Sequence, residues 1–224
     1  MTAIQNMWKD DKGFVWMFAI SIITLITIQL TGGFTWEGKF IHRTGFFLFT
    51  LIAVRSSLLS SVGKLVGYGI ASAILLLAIV MIWIETQELN LLYTLLVTSY
   101  VVYIIALVVS QIFASQVVTT YKIAGGVAVY VLLGHIWATL YLSVYIIQPD
   151  SFQYAGGLVA DDEAVKQLSY FSFVTLTTIG YGDITATNSI ARIFVMLEGL
   201  LGQLFPAIFI AKLVSQQLED SRKK

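Results

Sequence analysis

The sequence predicts an all-α integral membrane protein: six transmembrane helices plus a short re-entrant helix that runs into a glycine-bearing loop. Three observations carry this. Of the 224 residues 58% are hydrophobic and 12% charged, with a mean hydropathy of +0.84, far from the balance of a soluble domain. Six runs, 14–31, 43–62, 65–84, 90–113, 123–147 and 189–214, approach or exceed the about 20 mostly apolar residues that a spanning helix needs. One further apolar stretch, Leu168 to Thr177, is too short to cross a bilayer and leads directly into TLTTIGYGD, Thr175 to Asp183.

The first run is preceded by Asp10 and Asp11 and followed by Thr31-Gly32-Gly33-Phe34, which is no small-residue cleavage site, so it reads as an uncleaved span. Arg55 interrupts the second, which either ends near Val54 or carries the arginine at the headgroups. The third and fourth are uninterrupted. With both termini inside, Lys9, Lys12, Arg55, Lys64, Lys122, Lys212, Arg222, Lys223 and Lys224 fall on or near the cytoplasmic side, against Lys39, Arg43, Lys166 and Arg192 outside. That nine-to-four split favours this threading in the cell membrane over its inverse. Trp16 and Trp83, near opposite faces, suit an interfacial belt.

Between the fifth and sixth runs, Gln148 to Lys166 holds Pro149, Gly156, Gly157 and the acidic residues Asp150, Asp161, Asp162 and Glu163, and reads as an extracellular loop.

Several function classes fall away. Net charge is zero and the longest basic tract is Arg222-Lys223-Lys224, so nucleic acid has no electrostatic footprint; that tail suits anionic lipid instead. Cysteine is absent, which removes disulfides, thiolate metal sites and a cysteine nucleophile. An intramembrane enzyme would need a nucleophile with a partnered base or paired carboxylates, and Glu198 is the only acidic residue within a secure span. No enzymatic activity and no cofactor is expected.

The glycines of the loop need a reason, because non-helical backbone at membrane depth is tolerated only where it is buried in protein or lines a watery cavity. A cation can pair with the free carbonyls. In Thr178-Ile179-Gly180-Tyr181-Gly182 the alternating glycines permit backbone turns that β-carbons obstruct, so that successive carbonyls can point toward one axis. Four such segments would stack into rings of oxygen.

At this point TTIGYGD resembles the signature filter of the tetrameric potassium channels of the pore-loop superfamily. The resemblance implies a K⁺-selective homotetramer in which the carbonyls of Thr178, Ile179, Gly180 and Tyr181, with the Thr178 hydroxyl, replace the hydration shell of the permeant ion. Thr177, Gly182 and Asp183 would support the filter, Asp183 capping its outer mouth. Tyr181 would brace outward against Tyr170 and Phe171 of the short helix. That helix would also aim its negative C-terminal end at the cavity below. In the last span Arg192 matches a basic position near the top of the family's inner helix, and Gly202 lies where a hinge is usual, with Gly199 and Pro206 as further hinge candidates.

The implied organisation is a four-helix region, 1–122, sensor-like only in its number of helices; a pore domain, 123–215, of outer helix, pore helix, filter and inner helix; and a short cytoplasmic tail, 216–224, too small for a soluble ligand domain. The fourth span departs from the family's voltage sensors, since LLYTLLVTSYVVYIIALVVSQIF carries no charge. The short connector from Gln111 to Lys122 predicts that the first four helices dock on the pore of their own subunit. His135, mid-span, is expected to bond a neighbouring helix. Glu198 lies four residues before Gly202 on one helix face, and is expected as a neutral brace hydrogen-bonded to Thr175 or Thr177 rather than as a pore-lining charge.

Overall fold

A computed structural model describes residues 13–31, 61–84, 86–114, 119–154, 157–161 and 163–222, with Gly45, Phe47, Leu48, Leu51 and Val54 between the first two stretches. The expected second span, Arg55 within it, lies largely outside the described residues, as does Asp162 of the acidic loop. The elements are α1 (Gly13–Thr31), α2 (Ser61–Trp83), α3 (Gln87–Ala114), α4 (Thr120–Ile147), a 3₁₀ turn (Pro149–Ser151), β1 (Phe152–Tyr154), β2 (Gly157–Leu158), α5 (Ala164–Leu176), β3 (Ile184–Ala186) and α6 (Ser189–Arg222).

Among the described residues four helical segments are long and apolar enough to cross a membrane, Gly63–Met81, Gln87–Ser110, Lys122–Ile147 and Ser189–Glu219, and Val15–Leu30 is a shorter apolar helix. α4 is the hub: α1, α3, α5 and α6 all pack on it. The Thr119 side chain caps its first turn by accepting from the Lys122 amide, which supplies one of the partners that a helix start lacks. α1 and α3 thus lie against α4 of their own chain, and the apolar core between them joins Met17, Val97, Val101, Ile104, Ala128, Val129 and Leu132. His135 reaches across this seam, its Nε2 bonding the Ser21 carbonyl of α1 at 3.3 Å, while its ring meets Phe173 of α5 edge-on.

The acidic loop is more ordered than its composition predicts. β1 pairs antiparallel with β2 and with β3, in the order β2-β1-β3, with Tyr154 opposite Ile184. Strands of two and three residues are marginal alone, so packing holds this sheet. Phe152 is fully buried, with its ring 5.4 Å from Tyr141 on α4 and 5.7 Å from Phe171 on α5. Since β3 begins one residue after Asp183, the sheet fastens the outer end of the glycine loop to the top of α4 and α5.

Candidate functional site: the glycine loop between α5 and α6

The loop starts where α5 stops. Thr177 caps the helix, its amide donating to the Phe173 carbonyl and its hydroxyl turning back to the same oxygen at 2.6 Å. The Thr178 amide then bonds Thr175, and the Ile179 and Gly180 amides share the Val174 carbonyl at 3.0 and 3.3 Å. The lower half of the loop is therefore folded back onto the last turn of α5.

Its backbone alternates. Thr178 has φ +60°, Gly180 +60° and Gly182 +77°, whereas Ile179 and Tyr181 between them keep negative φ. Glycine adopts the left-handed region without cost, but a β-branched residue does not, and positions of this kind cost on the order of 1–3 kcal/mol. Thr178 is held there by the amide bonds on either side of it. Alternating hand along a chain gathers amide groups on one side, which leaves the carbonyls together on the other. Among the described residues none of the carbonyls from Thr178 to Gly182 accepts a hydrogen bond, and residues 177 to 183 are all exposed. A row of unpaired oxygens on one strand is a surface built to meet cations or a further set of donors.

The outer end is fixed by Asp183, which accepts from the Tyr170 hydroxyl at 2.8 Å and from the Ile184 amide at 3.0 Å. The bond that Tyr170 donates pushes its hydroxyl above the usual tyrosine range. Arg192 closes the arrangement from α6, its Nε donating to the Ala186 carbonyl of β3 at 3.2 Å. Within the single chain the residues expected as filter support have these places. Tyr170 serves Asp183, Phe171 is buried against Tyr141 and Phe152, and Tyr181 stands 69% exposed.

On the α5 side of the loop, α4, α5 and α6 meet closely. Gly202 of α6 faces the last turn of α5: a β-carbon there would stand 2.0 Å from the Leu176 carbonyl oxygen. α6 runs unbroken past Gly199, Gly202 and Pro206, and the close approach to Leu176 is by itself enough to require glycine at 202. Gly199 has no such neighbour. The Leu176 oxygen also accepts from the Tyr130 hydroxyl of α4 at 2.9 Å, and Tyr130 stacks on Phe205 of α6. Sequence reasoning missed Tyr130; the available signal was a tyrosine inside an apolar span, whose polar tip requires a partner when buried. Tyr130→Phe is expected to lower stability by about 1 kcal/mol through loss of that bond, read as a lower unfolding temperature in detergent.

Glu198 is fully buried on the α6 face toward α5, as expected, but its partners differ from those predicted. Oε2 accepts from the Tyr141 hydroxyl of α4, and Oε1 lies 2.6 Å from Ser172 Oγ of α5. Ser172 sits one turn above Thr175 on the same face, so the face was legible and the level was not.

Residues 117–218 match the family model described as an ion channel, and neither a curated protein nor a solved structure matches the chain. That stretch runs from just before α4 through most of α6 and includes the loop. That match supports an ion channel of pore-loop type, and with the apolar helices it supports a multi-pass membrane protein.

Proposed function

We propose that the chain forms a potassium-selective channel in the cell membrane, four copies surrounding one axis, with K⁺ held by the carbonyls of Thr178, Ile179, Gly180 and Tyr181 and by the Thr178 hydroxyl. The observation that carries this reading is the alternation of φ sign through Thr178, Gly180 and Gly182 on a strand whose carbonyls have no partner in the chain. One strand cannot surround an ion. Four strands related by rotation enclose it with rings of oxygen, replacing the water that a cation sheds on entry.

Assembly is supported by α6, whose mostly apolar middle leaves Ile193, Leu197, Leu200, Leu204 and Ile208 at least 43% exposed within the chain. Cations approaching from outside meet Asp150, Asp161 and Glu163 of the acidic loop first. Below the loop, the C-terminal end of α5 turns partial negative charge toward the ion path. Both termini are taken as cytoplasmic, from the distribution of Lys and Arg.

Reversal potentials of purified protein in bilayers under K⁺/Na⁺ gradients test the reading. The expected result is a reversal close to the K⁺ equilibrium potential; a value near zero would make the pore a non-selective cation channel.

Voltage dependence is expected to be shallow. Each elementary charge moved through the field supplies about 2.3 kcal/mol per 100 mV, and α3 carries a single charged residue, Glu88, in its first turn. Open probability in symmetric K⁺ is therefore expected to change little with potential. Steep activation that persists when Arg55 is neutralised would mean that other groups carry gating charge.

A further inference from the structure

The hydrogen bonds around Glu198 have too few protons for an ionised carboxylate. The carboxyl has no exposure, and no basic side chain among the described residues pairs with it. Two hydroxyls and one carbonyl complete the group. The Tyr141 hydroxyl donates to Oε2, and Ser172 Oγ lies 2.6 Å from Oε1 and 2.8 Å from the Gly134 carbonyl of α4. A carbonyl only accepts, and a serine hydroxyl has one proton to give.

If Glu198 were ionised, Ser172 could satisfy either the carboxylate or Gly134, and the other contact would be two oxygens at hydrogen-bond distance with no proton between them. That arrangement would also leave an unpaired charge away from water, which costs several kcal/mol. If Glu198 carries a proton on Oε1, every contact closes: Tyr141 donates to Glu198, Glu198 to Ser172, and Ser172 to Gly134.

We propose that Glu198 is held as a neutral acid at the centre of this one-directional chain, and that it is a positioning residue for the ion path. The chain ties α6 to α4 and to α5 within one hub. Ser172 lies five residues before Thr177, so the height and rotation of the short helix, and with them the start of the carbonyl row, are set against the inner helix at this point. A sideways movement of α6 has to carry α5 with it or break the chain. The consequence for conduction rests on the potassium-channel reading above; the protonation and the three-helix link do not.

Infrared difference spectra of the full chain in lipid, wild type minus Glu198→Gln at neutral pH, are expected to contain the carbonyl stretch of a protonated carboxyl. Carboxylate bands in its place would overturn the proposal. Glu198→Gln is further expected to retain the wild-type unfolding temperature, unitary conductance and open time, because an amide accepts from Tyr141 and donates to Ser172 in the same order. Glu198→Val, which strands both hydroxyls, is expected to reduce the folded fraction about tenfold at the wild-type midpoint. Conductance lost in a well-folded Glu198→Gln protein would make the side chain pore-lining, and a Glu198→Val protein indistinguishable from wild type would remove its positioning role. Absence of K⁺ selectivity in the wild type would defeat the channel reading while leaving the spectral and unfolding results to judge this one.

Discussion

Gly180→Ala is expected to abolish K⁺-selective conduction. The cause is conformational, because a β-carbon at Gly180 meets no atom of its own chain within 4 Å, whereas its φ of +60° is one that L side chains resist. The left-handed region costs an alanine about 1–2 kcal/mol, and a ring of four copies would bear roughly 4–8 kcal/mol in total. Relief requires the 180 peptide to turn over. That turns a carbonyl out of the row and presents an amide hydrogen, a donor, where an ion needs an acceptor. The stability of each chain should hardly change, since the loop is exposed and makes few contacts. The measurement is therefore selectivity in an assembled protein: reversal potentials under K⁺/Na⁺ gradients, with assembly verified by native mass. Wild-type discrimination in this variant would remove Gly180 from the ion path.

What the sequence disclosed about this region, and what it withheld, follows from the range of the interactions involved. The glycine loop was legible because its requirement is local: backbone hand is set residue by residue, and glycine at 180 and 182 marks it directly. The third residue of positive φ, Thr178, carries no such mark, since backbone bonds from the loop amides back to Val174 and Thr175 impose it, whatever the side chain. The long helices were legible from unbroken apolar runs, which need no knowledge of their neighbours.

The three short strands were not. A strand of three residues has no period to detect, and the pairing of Tyr154 with Ile184 joins positions on opposite sides of α5 and the loop. For Glu198 the need for partners was evident from burial of a carboxyl in an apolar span, but their identity depends on the vertical register of three helices. A slip of one turn exchanges Ser172 for Thr175, and nothing in the local sequence around Tyr141 announces its part. Gly202 was legible in part, since a small residue marks a face that another helix, here the short one, approaches closely. Its partner is a backbone oxygen, and a backbone oxygen leaves no trace in residue identity.

Gly202→Ala is expected to loosen the junction of α5 and α6 severely, and it separates contact from hinging. An alanine β-carbon would lie 2.0 Å from the Leu176 carbonyl oxygen and 2.9 Å from its carbon, distances that no unshifted structure sustains. Neither side can yield by rotating a side chain, because both atoms belong to helix backbone and the Leu176 oxygen is also held by Tyr130. α6 must therefore move away from the last turn of α5, pulling on the Glu198–Ser172 contact one turn above and on the Thr175 and Val174 carbonyls that anchor the loop. Overpacking of this kind costs typically about 1–3 kcal/mol, and a clash with backbone belongs at the upper end. Helix propensity works in the opposite direction, favouring alanine over glycine by about 1 kcal/mol. Gly199→Ala supplies the control, since its added methyl meets nothing within 4 Å in the chain and should leave stability level or slightly higher. The pair is compared by thermal unfolding and by bilayer recording. Gly202→Ala should unfold at a distinctly lower temperature and conduct poorly even when driven open, whereas a hinge glycine replaced by alanine would keep or gain stability and alter only opening and closing rates. Stability preserved in Gly202→Ala, with slowed gating alone, would restore the hinge and mean that the contact with Leu176 does not govern this position.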